Sequence, residues 1–312
     1  MLSSAVLVAD DADEFAMLVR PTTTEHTIIG GGVFAAKAIR IDLHRLGMQR
    51  VEVSHASIGH GQQSTERAAI LFSTGGVVWK GADLSATDIG LVGHDQPYWY
   101  NMAGPAQFGS MSLPVEDLAN ISVAMIGRDL SLPRDGLTMT ASATSHAKLL
   151  RLHAAAVYLA ENAPDIICHP EAARGLEHAM MEAMFDCIAE PAARTASQAW
   201  GMQSVILKRF RAALEANADQ PVYIPEICQS IGVADRTLRT HCHEHLGMSP
   251  KQYLLLRRMN LAHRALRAAD PATTTVTEIA TRFGFWELGR FAVAYRAWCG
   301  ESPAASLRRA AN

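Results

Sequence analysis

The sequence has little of what several protein classes require. It contains no low-complexity tract and no apolar run of the ~18–20 residues that span a membrane. Acidic residues stand near the start, where a signal peptide needs basic ones, so secretion is not expected. None of its five cysteines belongs to a CxxC pair: Cys168, Cys187, Cys228, Cys242 and Cys299. These absences disfavour disordered, disulfide-stabilised and membrane proteins, and they predict a cytoplasmic protein with buried, reduced thiols.

The charge of the chain is unevenly divided. From Asp219 to the end there are 12 Lys and Arg against 8 Asp and Glu, a balance of +4, whereas residues 1–218 hold 16 against 23, or −7. A basic terminal segment on an acidic body suits a polyanionic partner for that segment only. A charge of this size is also common on solvated surfaces, so it decides nothing by itself.

Short apolar runs broken by Gly, Asp, Pro and Ser predict a β-rich region from about Glu25 to Pro133. The runs are 51–59, 68–76, 77–81, 89–93 and 108–113. Many short strands with frequent turns are typical of a sandwich or a small barrel.

The pattern changes to helical spacing near Ser145. Helices are predicted in 145–162, 170–190 and 200–217, with Ser145 capping the first of them. Their apolar stripes indicate core packing or, alternatively, a dimer surface.

The strongest signal is an internal duplication near the end of the chain. EICQSIG (226–232) aligns with EIATRFG (278–284), and the Gly-x-Ser-Pro of 247–250 aligns with that of 300–303. Each copy predicts a short helix, a left-handed glycine turn and a second helix, which together make a helix-turn-helix. The second helix of such a motif can enter the major groove of DNA.

Residues 249–270 lie between the two copies and predict one long helix. Its length of about 30 Å is close to the ~34 Å that separates successive major grooves on one face of a duplex. A rigid spacer of this length would let both copies reach the same side of the DNA.

These residues resemble the DNA-binding domain of the AraC/XylS family of bacterial transcription regulators. The resemblance covers 231–266 and 276–308, above all the GF-(x)5-F motif from Gly284 and the G-x-SP that follows. It implies an α+β multidomain protein with three parts. They are a β-rich, cupin-like sensor in 1–144, a helical coupling and dimerisation segment in 145–217, and an all-α domain with two helix-turn-helix units in 218–312.

The first copy carries the clearest candidates for DNA contact. If Leu238, Cys242 and Leu246 face inward, the outward face consists of polar residues that the resemblance assigns to base reading: Arg236, Thr237, Arg239, Thr240 and His243. Either arginine can pair with guanine in a bidentate geometry. The alternative is an ordinary solvated face.

The second copy has fewer polar residues among its candidates, which are Glu287, Leu288, Arg290 and Arg296. Val293 stands where family members commonly carry a polar or basic side chain. We therefore expect this copy to position the protein on DNA more than to specify sequence. Trp286 is interpreted as a packing residue or, alternatively, as a brace for the turn, and Arg257, Arg258 and Arg264 are interpreted as partners of acids within the domain.

The β-rich region offers candidates for a small-molecule site. Trp79, His94, Tyr98 and Trp99 can line an apolar cavity with a few polar groups, or can be ordinary core. No metal or cofactor is expected, because the clustered histidines of cupin enzymes are missing and the histidines of 240–245 do not suit a tetrahedral zinc site.

The sequence thus predicts a transcription regulator, an activator rather than an enzyme, that is controlled by an effector. Its expected partners are double-stranded DNA, a small molecule and a second copy of the chain, and by resemblance RNA polymerase; no membrane is expected. Two alternatives stay open: a metal-dependent cupin enzyme with an appended DNA-binding segment, and an architectural DNA-binding protein without a ligand.

Overall fold

The computed structural model describes residues 2–20, 22–79, 82–83, 87–92, 97–127, 137–189 and 205–309. The strands in this part are β1 (Ser3–Ala9), β2 (Thr22–Ile28), β3 (Ala36–Asp42), β4 (Gly47–Val53), β5 (Ser57–Gln63), β6 (Arg67–Trp79), β7 (Ala82–Asp83), β8 (Asp88–Val92), β9 (Pro97–Pro114) and β10 (Leu137–Thr140). The helices are α1 (Ala12–Leu18), α2 (Val115–Ile126), α3 (Ala143–Asn162), α4 (Pro164–Cys168), α5 (Pro170–Ala189), α6 (Val205–Glu215), α7 (Ile224–Ile231), α8 (Asp235–Leu246), α9 (Pro250–Ala268), α10 (Val276–Arg282), α11 (Leu288–Cys299) and α12 (Pro303–Arg309).

The chain divides into two compact units. Unit 1 comprises Met1–Glu25, Ala35–Ser54 and His60–Gly201, and unit 2 comprises His26–Phe34, His55–Gly59 and Met202–Asn312. The β-rich part therefore precedes the helical part, as the sequence predicted.

Unit 1 is built on an antiparallel sheet with the strand order β1-β3-β4-β9-β6-β8-β10. The apolar runs 68–76 and 77–81 were expected as separate strands, but 68–76 and the described residues 77–79 lie in one strand, β6. Its pairing with β9 shifts register at Ser73/Gly75 and again at Gly75/Val77. At the first shift β6 advances two residues while β9 advances one, and at the second β6 advances two while β9 advances five, so the ladder is irregular here.

Helix α3 packs on this sheet and α5 packs on α3, and residues of both helices share one apolar core with the sheet. At the contact, the ring of Phe72 meets His153 edge-on at 5.0 Å and lies against Gly109, where a Cβ would collide with it. His153 is almost fully buried, which lowers the pKa of its imidazole to about 4 and keeps it neutral.

Two local expectations were wrong. Residues 115–126 lie inside the region expected to be β-rich, yet they form helix α2, whose Glu116 and Asp117 suit a helix N-terminus. The cap of α3 is Ser142 and not Ser145, because the Oγ of Ser142 accepts the Ser145 amide at 3.1 Å and so starts the helix three residues earlier.

Unit 2 is mainly helical, and its seven helices α6–α12 lie between Val205 and Arg309. The spacer helix α9 has 19 residues, or about 28 Å, close to the expected length. Among the described residues, we find no helix with the length and apolar character needed to cross a membrane.

Candidate nucleic-acid interface

The first helix pair of unit 2, α7 and α8, closes around an apolar interface. Helix α7 ends at Gly232 with φ +70°, the left-handed conformation that the sequence predicted for this turn. Its buried residues Ile227 and Ile231 face the fully buried side of α8: Leu238, Cys242 and Leu246. Burial raises the pKa of Cys242 to about 12, so its thiol stays protonated and acts as a small apolar residue.

The second helix pair, α10 and α11, repeats this construction. Its turn is Gly284 with φ +77°, and Ile279, Phe283, Phe291 and Tyr295 are buried. Tyr295 takes the place of Cys242 and donates its hydroxyl to Ser306 Oγ at 2.8 Å. Burial raises the pKa of this phenol, so it stays neutral. The core positions of the duplication are therefore confirmed.

The duplicated glutamates have a structural reason. Glu226 accepts the amide of Tyr223 at 3.0 Å, and Glu278 accepts the amide of Thr275 at 2.7 Å. Each carboxylate thus satisfies a backbone N–H at the start of the first helix of its pair. The hydrogen bonds from Thr275 also hold the pKa of Glu278 below its ordinary value.

The side of α8 opposite its buried side is polar and open to solvent. All five residues expected there are exposed: Arg236, Thr237, Arg239, Thr240 and His243. The guanidinium of Arg236 forms no hydrogen bond or ion pair with any described residue, whereas Arg239 Nη2 lies 2.7 Å from Asp235 Oδ2. Sequence reasoning missed Asp235, although its position four residues before Arg239 on a helix is a usable signal.

The exposed side of α11 differs in chemistry from that of α8. Its polar candidates Glu287, Arg290 and Arg296 are exposed, and Arg290 Nη1 lies 2.8 Å from Glu287 Oε2. Apolar side chains share this surface: Leu288 is 37% exposed, Val293 73% and Trp286 79%. The interpretation of Trp286 as a packing residue was wrong, since it precedes α11 and lies outside the apolar interface of the pair.

Helix α9 holds the two pairs together through Arg258. The Arg258 guanidinium lies 5.3 Å from the ring centroid of Tyr223, which precedes α7, and 5.3 Å from that of Phe285, which follows the Gly284 turn. Cation–π contacts of this kind connect the start of the first pair to the turn of the second. This role differs from the expected pairing of Arg258 with an acid.

Arg257 is buried and donates to backbone carbonyls at the end of α6 and in the segment that follows. Its acceptors are the carbonyl oxygens of Leu214, Asn217, Ala218 and Gln220, at 2.7–3.3 Å. Of the three spacer arginines, Arg264 lies 3.5 Å from Asp219, as expected for a pair with an acid.

Unit 2 also includes a short segment from early in the chain, His26–Phe34. Asn260 Oδ1 on α9 accepts the Ile28 amide at 3.2 Å, and Trp298 Nε1 on α11 donates to the Ile28 carbonyl at 3.0 Å. The Gly32 amide donates to the Trp298 carbonyl at 2.9 Å. This segment therefore bonds to the spacer helix and to the second helix of the second pair.

The remaining candidates stand as follows. His94 lies outside the described residues, as do the side chains of Trp79, Tyr98 and Trp99, whose backbones lie in β6 and β9.

On α8, ligand atoms of His241, Glu244 and His245 lie within 4.8 Å of one another. They offer three ligands from one helix, whereas a structural zinc site takes four.

Comparison with known proteins places this part of the chain in a family. A helix-turn-helix domain model matches residues 227–309. The "Probable thc operon regulatory protein" of Rhodococcus erythropolis is 42% identical over 95 residues, which are 30% of this chain and 29% of that protein. The "XylDLEGF operon transcriptional activator 3" of Pseudomonas putida is 32% identical over 96 residues, which are 31% of this chain and 29% of that protein.

Among solved structures, a probable AraC family transcriptional regulator from Rhodopseudomonas palustris is 33% identical. The match covers 34% of this chain and 98% of that one, with a TM-score of 0.31. The chain thus spans less than a third of the length of the two curated relatives. Residues 227–309 are a helix-turn-helix domain of the AraC type, similar to the domains of AraC/XylS-type transcription regulators.

Proposed function

We propose that this chain is a sequence-specific transcription regulator, an activator controlled by a small-molecule effector, in which α7–α8 and α10–α11 act as two helix-turn-helix units. The observation that carries the proposal is the two-sided character of α8. Leu238, Cys242 and Leu246 fix one side in the core, and the other side presents two arginines, two threonines and a histidine to solvent. A helix held in this way can enter a major groove without losing its own packing.

Arg236 and Arg239 are the proposed base-reading residues. A guanidinium can pair with the O6 and N7 of guanine, and such a pair contributes about 1–3 kcal/mol of discrimination. The Arg239–Asp235 ion pair does not oppose this, since an exposed i, i+4 pair contributes only ~0.3–0.5 kcal/mol. Thr237, Thr240 and His243 extend the same face toward bases or phosphates.

Arg290 and Arg296 on α11 are proposed to contact phosphates and to set the position of the protein on the duplex. Glu287 and Leu288 stand at the start of the same helix. The α9 spacer and the Arg258 contacts hold the two reading helices at a fixed separation.

We extend the proposal to regulation through a cupin-like sensor in 1–144 and to a homodimer formed through 145–217. Two exposed apolar side chains in the latter segment support a dimer surface: Tyr158 is 64% exposed and Ile166 is 50% exposed. Sedimentation velocity across a hundredfold range of protein concentration tests this. A Tyr158→Asp protein should stay monomeric where the original chain associates, and two monomeric proteins would contradict the dimer.

Fluorescence anisotropy with the DNA upstream of the chain's own gene, against a scrambled duplex, tests DNA reading. The original chain should prefer the upstream duplex by orders of magnitude and bind more weakly as salt increases. Arg239→Ala should erode the preference. Arg174→Ala should not, because Arg174 lies on α5 in unit 1 and is 69% exposed.

Equal binding to both duplexes, in the absence and in the presence of added succinate or phosphate, would contradict sequence-specific regulation and favour an architectural protein. Stoichiometric metal together with turnover would favour the cupin enzyme instead.

A further inference from the structure

Unit 1 contains a polar cavity of about 230 Å³ at one end of the paired strands β3, β4, β6 and β9. Three arginines from different parts of the chain meet there: Arg20 after α1, Arg40 on β3 and Arg67 on β6. The rest of the lining consists of Asp42, Gly47, Met48, Gln49, Ser110 and Ser112.

The guanidiniums of Arg40 and Arg67 are anchored by uncharged groups. Arg40 donates to the carbonyl oxygens of Met17 and Leu18, while Arg67 donates to the Arg45 carbonyl and to both oxygens of Ser112. None of the three arginines forms a salt bridge with a carboxylate of the described residues. The anchors therefore fix two positive charges in place without neutralising them.

The electrostatic balance of this cavity is positive. Asp42 is the carboxylate in the lining, and Asp117, which also acts on Arg67, already pairs with Arg45 at 3.5 Å. Burial lowers the pKa of the Arg40 guanidinium, and the charge of Arg20 adds to that effect. With Asp42 set against the three arginines, the cavity has an excess of about two positive charges, which a dianion would balance.

Hydroxyl groups at the cavity complete a set of donors. Ser110 Oγ accepts from Gln49 Nε2 at 2.9 Å, and Ser112 Oγ accepts from Arg67 Nε at 3.1 Å. A serine hydroxyl can still donate while it accepts, so both can turn a hydrogen toward an oxygen in the cavity. Guanidinium groups and hydroxyls together are the donors that bind carboxylate and phosphate oxygens.

We propose that this cavity binds the effector and that the effector carries a dianionic oxyanion, a dicarboxylate or a phosphate monoester, held by Arg20, Arg40 and Arg67. That the bound anion acts as an effector rests on the proposed function, whereas the binding of an anion depends on the residues of unit 1 alone. A neutral sugar or a hydrocarbon would leave the positive charges of the arginines unbalanced. The cavity volume limits the bound group to a small one.

Isothermal titration calorimetry on the full chain, without DNA and at constant ionic strength, tests the site. The probes are succinate, inorganic phosphate and acetate. Succinate or phosphate should bind at least about tenfold more tightly than acetate, because only a dianion matches the charge of the cavity. A stronger response to succinate would indicate a dicarboxylate, and a stronger response to phosphate would indicate a phosphate ester.

Arg20→Ala is the decisive variant, because its side chain is exposed and its removal leaves the anchored arginines in place. It should weaken dianion binding about tenfold or more. Arg67→Gln should weaken it further, but it also removes bonds to two backbone carbonyls. Arg50→Gln is the matched control: Arg50 lies on β4 beside Gln49, pairs with Glu52 at 3.0 Å and does not line the cavity, so its removal should leave binding unchanged.

Dianion binding that is no tighter than acetate binding, or that Arg20→Ala leaves intact, would overturn the anion site. The anisotropy experiment separates this failure from that of the proposed function. If DNA binding is specific and no dianion alters it, the proposed regulator stands and the effector role of the cavity is rejected. If dianion binding depends on Arg20 but the chain shows no preference between the duplexes, the anion site stands and the proposed sequence-specific regulator is rejected.

Discussion

The two helix pairs of unit 2 are alike where they are buried and different where they face solvent. Both close at a left-handed glycine, both begin with a glutamate that accepts a backbone amide, and both bury apolar residues one turn apart on the second helix. Outside this common frame, α8 shows Arg236 and Arg239, whereas α11 shows Val293 and is preceded by the exposed Trp286.

This contrast separates two constraints on the same motif. The buried positions must fill an interface, so the two copies share the burial and the spacing of these positions even where Cys242 in α8 corresponds to the larger Tyr295 in α11. The exposed positions contribute nothing to that interface, so their chemistry can follow what each helix contacts. The difference between the pairs therefore indicates a division of tasks between reading sequence and holding position.

The largest effect on DNA affinity is expected when both exposed arginines of α8 are removed together. Arg236→Ala with Arg239→Ala should weaken binding to the preferred duplex about a hundredfold or more, since each lost base contact costs ~1–3 kcal/mol. Most of that loss should appear as lost preference over scrambled DNA. Anisotropy on both duplexes measures it.

Arg290→Ala with Arg296→Ala is the matching change on α11. It should weaken binding to both duplexes equally and lower the slope of log affinity against log salt by about 2, since each phosphate contact contributes ~0.9. If the two double variants lost preference to the same degree, the division of tasks between the pairs would be wrong.

The second largest effect concerns the turns. Gly232→Ala meets open space and should cost only the ~1–2 kcal/mol of a left-handed alanine. Gly284→Ala pays the same conformational cost, and its Cβ would also collide with the Tyr223 hydroxyl and press on Arg258, adding ~1–3 kcal/mol. Hydrogen exchange of the α9 amides in the full chain reports the opening free energy. Equal losses would mean that the Tyr223–Arg258–Phe285 contact does not connect the pairs.

The two repeated helix pairs could be predicted from the sequence because hydrophobic periodicity and glycine spacing are local signals. Sequence reasoning predicted the buried positions of α8, the glycine turns and the length of α9. It could not predict the surroundings of Arg257, whose acceptors lie about forty residues away in the segment after α6. Trp286 was misread because a large aromatic residue beside a core pattern is usually buried.

The arginine cavity was invisible for a related reason. Arg20, Arg40 and Arg67 share no motif, and they meet only because β3 pairs with β4, β4 with β9, and β9 with β6. Register between distant strands is set by the whole sheet and its irregularities, such as the shifts near Gly75. The candidates that the sequence did offer, Trp79, His94, Tyr98 and Trp99, remain predictions.

A smaller effect is expected when the second pair is given the chemistry of the first. Val293→Arg places a cation on the exposed side of α11. It should strengthen binding to both duplexes a few-fold at low salt and steepen the salt slope by about 0.9, without changing the preference between them. Val205→Arg is the control, since Val205 is also an exposed valine, 63% exposed, on α6. A gain in preference from Val293→Arg would show that α11 faces base edges rather than phosphates.

The smallest effect on DNA affinity is expected when the acidic partner of an exposed arginine on α8 or α11 is neutralised. Asp235 holds Arg239 at 2.7 Å and Glu287 holds Arg290 at 2.8 Å, so Asp235→Asn and Glu287→Gln each remove one negative charge beside one arginine. Both should raise affinity for scrambled DNA about two- to threefold, because less negative charge faces the phosphates. Only Asp235→Asn should also lower the preference for the specific duplex, because a base-reading arginine needs a defined direction and a phosphate-binding one does not. Anisotropy titrations on both duplexes at one salt concentration resolve a twofold change. If Glu287→Gln lowered the preference as much as Asp235→Asn, Arg290 would be a base reader, and the two exposed faces would differ in composition but not in task.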